Sequence, residues 1–342
     1  MEVKDTSQPQ SLEAEIVDII EEKEIEVMGE KQLYQKLKLE VVNEEGKVLE
    51  IENGNVPMVN QQQYKKGDVV LLNATSDIDG NTIYFIADYI RRDALIGLLL
   101  IFLVITLLVA KKRAISSFIG LAVSFLIIFK FILPQIYQGA NPIFIAIVSS
   151  IVIIPFTFYL SHGVNKKTAV AIIGTFVSLL VTGVLAGIFV SAAKLTGFAS
   201  EEAGFLQVAM GDTVNIKGLL LAGIIVGALG ILDDITVAQA AIVLQLKETE
   251  KKLGFKDLYQ KAMKIGQDHI ASMINTLILV YAGASLPLLL LFIDNPQPFA
   301  HVINHEIIAT EVVKTLVGSI GLVIAVPVTT CIAAMVVEND NS

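Results

Sequence analysis

The sequence predicts an α-helical polytopic membrane protein with a small all-β domain in front of its membrane part, and three observations support this prediction. First, 54% of the 342 residues are apolar and only 17% are charged, a composition too apolar for an ordinary soluble enzyme. Second, long apolar runs separated by short polar breaks begin at Ala94. Third, the first 93 residues hold 20 of the 34 acidic residues but only 10 of the 25 basic ones. The chain therefore divides into an acidic head and an apolar body.

The charge distribution also excludes some classes of function. The formal net charge of −9 lies on the head, because the rest of the chain carries 14 acidic and 15 basic residues. Nucleic-acid binders need a basic surface, so we exclude that class. The single cysteine, Cys331, excludes an internal disulfide and a cysteine-cluster metal site.

The head is predicted to occupy residues 12–90, after a disordered tail at residues 1–11. Short segments in which apolar and polar residues alternate are typical of strands, and turn signals containing glycine separate them. The predicted strands are residues 14–17, 37–41, 48–51, 69–72 and 82–86. We interpret the head as a small barrel or sandwich of the OB type. We favour a docking or lid domain over a ligand-binding one.

The body, residues 94–337, is predicted to form about seven membrane spans, followed by a tail at residues 338–342. A span needs roughly 20 mostly apolar residues. The predicted spans are residues 94–110, 114–133, 142–160, 169–193, 218–246, 270–293 and about 312–336. The last apolar run is too long for one span, and it carries Glu311 and Lys314 near its start.

Basic residues predict the orientation of these spans, because short loops rich in Lys and Arg stay in the cytoplasm. They accumulate in alternate loops, at residues 111–113, 166–167 and 247–264. This pattern predicts a multi-pass protein of the cell membrane with a cytoplasmic C-terminus and an extracytoplasmic head. Because residues 1–11 contain no apolar stretch, either the natural start lies upstream and carries an anchor helix, or the head follows the first span out of the cell. We favour the upstream anchor.

Two adjacent acids, Asp233 and Asp234, lie about halfway along the fifth span, where neither helix end lets them reach water. Ionisable groups inside a membrane are costly, and they mark pathways or partners more often than packing. Two neighbouring carboxylates in low dielectric also oppose each other's ionisation, so the pair can exchange a proton. The pair is therefore a candidate proton or ion relay. The alternative is that both acids make fixed hydrogen bonds to neighbouring helices.

Other polar residues of the predicted spans are candidate partners of the acid pair. Lys314 is the candidate counter-charge, and Glu311 lies three residues earlier on the same helical face. The alternative is that Glu311 and Lys314 satisfy only each other. Further candidates for a polar lining are Gln239, Ser272, Asn275 and Thr276.

Small residues predict where the spans approach each other closely. The candidate packing glycines are Gly223, Gly227 and Gly230 on the fifth span and Gly318 and Gly321 on the seventh. We predict no metal, because His301, His305 and Glu306 lack a further spaced ligand. We also predict no cofactor and no enzyme, because no nucleophile motif, Walker loop or HExxH occurs.

Several stretches resemble the YibE/F family over nearly the whole chain. They are residues 84–91 (YFIADYIR), 211–215 (GDTVN), the helix with Asp233 and Asp234, 268–277 (DHIASMINTL), 281–287 (YAGASLP) and 315–322 (TLVGSIGL). The resemblance implies a polytopic bacterial membrane protein of poorly defined activity. Members of the family generally carry an extra N-terminal anchor, which agrees with the expected upstream start.

A second, shorter resemblance covers the fifth span, the basic loop after it and the start of the sixth span. It points to the RND superfamily, which includes multidrug pumps and the SecDF translocation motor. Residues 230–234 (GILDD) are similar to the superfamily's relay helix, with one glycine shifted. The basic loop and the next span follow in the same order, and residues 274–277 (INTL) resemble SecF. The resemblance implies a half-size, proton-coupled relative that needs to dimerise.

Two hypotheses about function follow. The leading one is a membrane transporter or transport-assisting subunit, with proton or ion coupling through Asp233 and Asp234. The alternative is a membrane scaffold or sensor that transports nothing and whose head recruits a partner. The expected partners are the lipid bilayer and either a second copy of the chain or a paired related subunit, and the substrate stays open.

Overall fold

The computed structural model describes residues 11–42, 46–57, 62–76, 82–291, 293 and 298–339. The chain divides into two compact units, Met1–Val109 and Ala110–Ser342. Four predictions fall partly or wholly outside the described residues: the tail at residues 1–11, a turn at residues 79–81, residue 292 of the sixth span and the tail at residues 338–342.

The first unit contains one antiparallel β sheet, as the alternating pattern predicts. Its strands are β1 (Ser11–Val27), β2 (Glu30–Val41), β3 (Val48–Asn53), β4 (Val69–Ser76) and β5 (Thr82–Tyr89). They lie in the order β3-β2-β1-β4-β5. The long first strand pairs with β2 on one side and with β4 on the other, so it is the centre of the sheet.

One face of the sheet supplies the core of the head. Alternate residues of β1 and β2, including Ile16, Leu37 and Leu39, are fully buried because successive side chains of a strand point to opposite faces. Gln35 is buried among them, and its side-chain amide pairs with the backbone of Tyr64 in both directions, with two hydrogen bonds of 2.9 Å. This pairing satisfies a buried amide and fixes the segment before β4.

Helix α1 (Arg92–Ala110) follows β5 in the same unit. Its side chains are apolar on all sides, and none of its residues is buried. At the start of the helix, Arg92 forms an ion pair of 3.1 Å with Glu13 of β1. A helix of 19 residues that is apolar all round has the length and surface of a membrane span.

The secondary structure of the second unit consists of helices alone in its described residues. Its helices are α2 (Lys112–Ile127), α3 (Leu133–Tyr137), α4 (Pro142–His162), α5 (Lys166–Ala192), α6 (Glu201–Met210), α7 (Ile216–Thr249), α8 (Phe255–Ala284), α9 (Leu286–Leu291), α10 (Phe299–Val302) and α11 (Glu306–Asn339). A π-helical turn, Ile128–Ile132, connects α2 with α3.

Among the described residues, six helical segments are long and apolar enough to cross a membrane. They are Arg92–Ala110, Lys112–Tyr137, Pro142–His162, Lys166–Ala192, Ile216–Thr249 and Glu306–Glu338. These six correspond to six of the predicted spans. The predicted span at 270–293 is divided between α8 and α9, because the helix breaks at Ser285, just before Pro287. Half of α8 is also charged and amphipathic rather than apolar.

Helices α5, α7 and α11 form the centre of the second unit, and α4 and α8 pack around them. Helices α5 and α11 run antiparallel, and each places a threonine against a glycine of the other. Thr182 packs on Gly321, and Thr329 packs on Gly174. These close approaches join α5 and α11, and α7 shares one buried core with both.

The carboxylate of Glu306 joins α11 to the turn that follows α5. It accepts hydrogen bonds from the backbone N–H groups of Thr196 (2.6 Å) and Gly197 (2.9 Å), and from the Thr196 hydroxyl. Gly197 has a φ of +92°, and a Cβ there would lie 2.7 Å from the Ile216 carbonyl oxygen. The turn thus needs glycine, and it fixes the start of both α7 and α11.

Candidate functional site

The two acids of the predicted relay lie on different faces of α7. Asp233 lies at the middle of this helix, because Ile216 at its start and Thr249 at its end are almost equally far from it. Its side chain is half-buried, whereas the side chain of Asp234 is exposed. Neighbouring helix residues point about 100° apart, so one acid faces the protein and the other faces outward.

Asp233 lines a cavity of about 290 Å³ between α2, α4 and α7. The other polar side chains of this inner cavity are four hydroxyls, those of Ser117, Ser124, Thr157 and Ser161. The two on each helix are a whole number of turns apart, which places each pair on one helix face. Sequence reasoning missed these hydroxyls, although this spacing is visible in the sequence.

The protons of at least two of these hydroxyls are used within their own helices. The Ser124 hydroxyl donates to the Gly120 carbonyl at 3.0 Å, and the Thr157 hydroxyl donates to the Ile153 carbonyl at 2.8 Å. A hydroxyl whose proton is already donated can only accept further hydrogen bonds or bind a cation. The inner cavity is therefore lined by oxygen acceptors and by one carboxylate.

A second cavity, the outer cavity, of about 270 Å³ lies between α6, α7 and α11 and is lined by Gly223, Glu202, Glu311 and Lys314. Hydrogen bonds from its own backbone N–H and from the Ser200 hydroxyl lower the pKa of Glu202, so this carboxylate is ionised at neutral pH. The cavity thus carries charged groups of both signs.

The structure pairs Lys314 with Glu311, not with the acid pair. Lys314 Nζ lies 2.7 Å from Glu311 Oε1, one helical turn away. Lys314 also shares the outer cavity with Gly223, which precedes Asp233 by almost three turns of α7. This spacing corresponds to about 15 Å along the helix, too far for an ion pair. The counter-charge expected for Asp233 is therefore engaged elsewhere, which agrees with the alternative interpretation of this pair.

The outward face of α7 is lined by small and polar residues. Its exposed residues include Gly223, Gly227, Gly230, Asp234 and Gln245. A Cβ at any of the three glycines would meet nothing within 4 Å. None of the large apolar residues of α7 is exposed. These glycines do not pack helices together within the chain; they leave an open groove along α7.

Each cavity lies against one end of this stretch of α7. Gly223 lines the outer cavity, whereas Gly230 and Asp233 line the inner one. The stretch from Gly223 to Gly230 covers about 10 Å of helix. Two cavities that contain charged side chains thus meet the same face of α7 at two levels along the helix.

The other two candidate packing glycines lie on α11. Gly321 is the glycine on which Thr182 packs, so it makes a close approach between helices. A Cβ at Gly318 would lie 3.9 Å from Ile231 of α7, an ordinary contact. The structure thus divides the five glycines, and the three of α7 are the ones that face open space.

Gln239 is fully buried between three helices instead of lining a path. Its amide nitrogen donates to the Thr330 hydroxyl of α11 at 2.7 Å and to the Ala262 carbonyl of α8 at 3.1 Å. One turn earlier, the hydroxyl oxygens of Thr236 and Thr175 are 2.7 Å apart. This contact joins α7 to α5, and Gln239 joins α7 to α8 and α11. These buried polar side chains, the polar core of the unit, thus connect all four helices.

The remaining polar candidates lie on α8 and are turned away from the polar core. Ser272, Asn275 and Thr276 are all exposed, and the Thr276 hydroxyl donates to the Ser272 carbonyl of its own helix. The structure therefore does not bring these three side chains together with Gln239. No group of three or more His, Cys, Asp or Glu suited to a metal occurs within the part of the chain that the structure describes.

These features define a class of protein: a multi-pass membrane protein with an N-terminal β domain and a polar central helix. Comparison with protein families matches residues 98–339 to the family described as YibE/F-like protein. This match covers more than two thirds of the chain, and the chain belongs to the YibE/F family. Neither a curated protein nor a solved structure matches the chain.

Proposed function

We propose that this chain is a membrane transporter or a transport-assisting subunit, in which a proton or another small cation moves past Asp233 along α7. The observation that supports the proposal is the groove of α7, which meets the outer cavity at Gly223 and the inner cavity at Gly230. A polar path along a central helix is what an ion needs to cross the hydrocarbon region.

The surroundings of Asp233 favour a relay over fixed packing. Within the described residues, the Asp233 carboxylate takes part in no ion pair and in no side-chain hydrogen bond. The contact with the Thr236 hydroxyl, 3.3 Å, involves the backbone carbonyl of Asp233. An acid that served only as packing would be bonded to its neighbours, because an unpaired buried charge is costly. A carboxylate open to a cavity remains available to a proton or a cation.

The proposed topology has seven spans, with α8 and α9 together as the sixth. Contacts of α8 and α9 along the length of α11 support a combined sixth span. The backbone N–H of Phe255 donates to Glu338 at 3.4 Å, and a Cβ on Gly266 would lie 2.6 Å from Val326. Leu289 of α9 shares an apolar cavity with Ile308. Helices α8 and α9 thus extend as far as α11, which has the length of a span.

Seven spans and the distribution of basic residues support a cytoplasmic C-terminus and an extracytoplasmic head in the cell membrane. The ends of α7 and α11 and the start of α8 lie together, next to the Lys-rich segment from Lys247 to Lys264. We propose that this end of the unit faces the cytoplasm and that the outer cavity faces the opposite side.

We propose that the head is an OB-type lid or docking domain. β1 pairs with both β2 and β4, and the edge strands β3 and β5 approach each other, as in a partly open five-stranded barrel. The hairpin of β1 and β2 extends beyond the core, and Met28 at its tip is 91% exposed. An extended hairpin with an exposed apolar tip suits a protein contact.

We propose that a second copy of the chain, or a paired related subunit, covers the groove of α7. Lipid tails pack well against large apolar side chains but not against three open glycines and an aspartate. A cysteine at Gly227 in a Cys331→Ser background should therefore cross-link two chains, whereas one at Leu180 should not. Equal cross-linking at both positions, or none at Gly227, would contradict this part of the proposal.

Proton flux into proteoliposomes tests the transport proposal. We expect flux with the intact protein, loss of flux with Asp233→Asn, and unchanged folding of that variant by gel filtration. Asp234→Asn is the matched control, because this neighbouring acid lies outside the inner cavity and should retain part of the flux. The proposal fails if Asp233→Asn transports like the intact protein.

The scaffold or sensor hypothesis remains the second candidate, and the exposed hairpin of the head favours it. In this case deletion of residues 1–88 should abolish function in cells, while Asp233→Asn should damage assembly only. If the headless protein still works and the Asp233 variant still assembles, the scaffold hypothesis is wrong.

A further inference from the structure

The lining of the inner cavity restricts the kind of ion that it can bind. Among its lining residues, the polar side chains are the four hydroxyls and the Asp233 carboxylate, and there is no Lys, Arg, His or amide. The Asp233 carboxylate repels an anion, and the lining has no positively charged side chain to offset that repulsion. Oxygen acceptors with a single carboxylate instead match a cation.

The charge of the lining selects the valence of that cation. Protein sites for Ca²⁺ and Mg²⁺ use several oxygens and typically more than one carboxylate, because the ion carries two charges. The inner cavity offers one carboxylate, and Asp234 points outward. One negative charge surrounded by neutral hydroxyl oxygens balances one positive charge.

The hydroxyls also present the right atoms for a cation. The protons of Ser124 and Thr157 bond to carbonyls of their own helices, so the oxygen lone pairs remain available. Ser117 and Ser161 lie on the same two helices at the same cavity. α2 and α4 thus face Asp233 with oxygen atoms, from two sides of one space.

From this arrangement we infer that the inner cavity is a binding site for a small monovalent metal cation of the Na⁺ type, held by Asp233 and the hydroxyls of α2 and α4. The inference rests on the proposed function, because it assigns the coupling ion of the same cavity. It goes beyond that function by naming a metal cation rather than the proton alone, and by giving a role to Thr157 and Ser124.

Thermal unfolding of the purified full-length protein in detergent tests this site. NaCl is exchanged for choline chloride at constant ionic strength, because an ion that binds the folded state raises the unfolding temperature by mass action. We expect Na⁺ to raise the midpoint of the intact protein by a few degrees relative to choline. The shift should vanish in Asp233→Asn and shrink in Thr157→Val, which replaces the hydroxyl with a methyl group.

Two matched variants keep this test falsifiable if Asp233→Asn folds poorly. Asp233→Glu retains the charge and should retain a Na⁺-dependent shift, and Asp234→Asn should retain the full shift because its side chain lies outside the cavity. The inference is overturned if the intact protein shows no difference between Na⁺ and choline. It is also overturned if the shift survives Asp233→Asn or is unchanged in Thr157→Val.

The outcomes separate this inference from the proposed function. Proton flux that requires Asp233 but no Na⁺-dependent stabilisation would refute the cation site and leave the transport proposal in place. Na⁺-dependent stabilisation without flux of either ion in proteoliposomes would support the cation site and refute the transport proposal.

Discussion

Helices α5 and α7 are neighbours of similar composition, yet their outward faces differ. The mean hydropathy of an apolar 18-residue stretch is 2.4 in α5 and 2.0 in α7, and half of each stretch is buried. The outward face of α5 carries large apolar residues such as Val177, Leu180 and Val184. The outward face of α7 carries glycines and Asp234. The arrangement of residues, and not the amount of apolar surface, therefore distinguishes the outward faces of these two helices.

Of the substitutions that test this comparison, an acid on the outward face of α5 should have the largest effect, a loss of membrane-integrated protein. Leu180 is 61% exposed on this face, and an aspartate in the middle of a span costs about 3 kcal/mol for insertion. We expect Leu180→Asp to abolish most of the membrane-integrated protein, measured after carbonate washing. The reverse change on α7, Asp234→Leu, should leave integration intact. Similar yields of the two variants would contradict the contrast between the faces.

A valine at Gly321 should have the next largest effect. A Cβ at this position would clash with Thr182, and overpacking of a tight contact costs about 1–3 kcal/mol. We therefore expect Gly321→Val to lower the thermal midpoint of unfolding in detergent.

The control for that change is Gly227→Val, because nothing lies within 4 Å of the position that its Cβ would take. This variant should fold like the intact chain but lose the proposed self-association, measured by gel filtration in detergent. If both variants unfold at the same lower temperature, the groove of α7 is closed within a single chain and the comparison is wrong.

The two glutamines of α7 compare its inner face with its outer face. Gln239 is fully buried and joins α8 and α11, whereas Gln245 is exposed. Loss of such hydrogen bonds costs about 0.5–1.5 kcal/mol each, so Gln239→Leu should destabilise the protein more than Gln245→Leu. Chemical unfolding of each variant measures the difference. Equal effects would show that burial on α7 does not decide the cost.

The smallest expected effect concerns the hydroxyl contact between α5 and α7. The Thr175 and Thr236 oxygens are 2.7 Å apart and fully buried. Hydrogen bonds between membrane helices average about 0.6 kcal/mol in double-mutant cycles. We expect a coupling of this size between Thr175→Val and Thr236→Val in a thermal unfolding cycle. A coupling of zero would mean that the two helices are joined by apolar packing alone.

Much of the fold follows from local sequence patterns. The alternation around Leu37 and Leu39 predicts a strand because one sheet face is buried. Apolar runs predict six of the spans because their length matches the hydrocarbon core. The sixth predicted span, residues 270–293, breaks at Ser285, and Pro287 shortly after it is the sequence signal for this break. The average hydropathy of a segment is the same whether its helix is continuous or broken, so it does not predict a break.

The candidate site was less predictable, because its parts come from separate helices. Asp233 is visible in the sequence as an acid within an apolar run, but nothing local associates it with Thr157, which lies on a helix much earlier in the chain. Lys314 is equally visible as a counter-charge, yet Glu311 on its own helix already engages it. Adjacency in the sequence also suggests that Asp233 and Asp234 act together, whereas the rotation of the helix separates their side chains.

The amino-acid sequence alone was enough to predict the acidic β head, the apolar body, the central position of the acid pair and the membership of the YibE/F family. The packing of the helices was needed to learn which glycines make close contacts, which of the two acids faces a cavity, and which hydroxyls surround it. Hydrophobicity and turn chemistry act over a few residues, so they can be recognised locally. The environment of a polar side chain in a membrane instead depends on how neighbouring helices are rotated, and that rotation is fixed by packing across the whole unit.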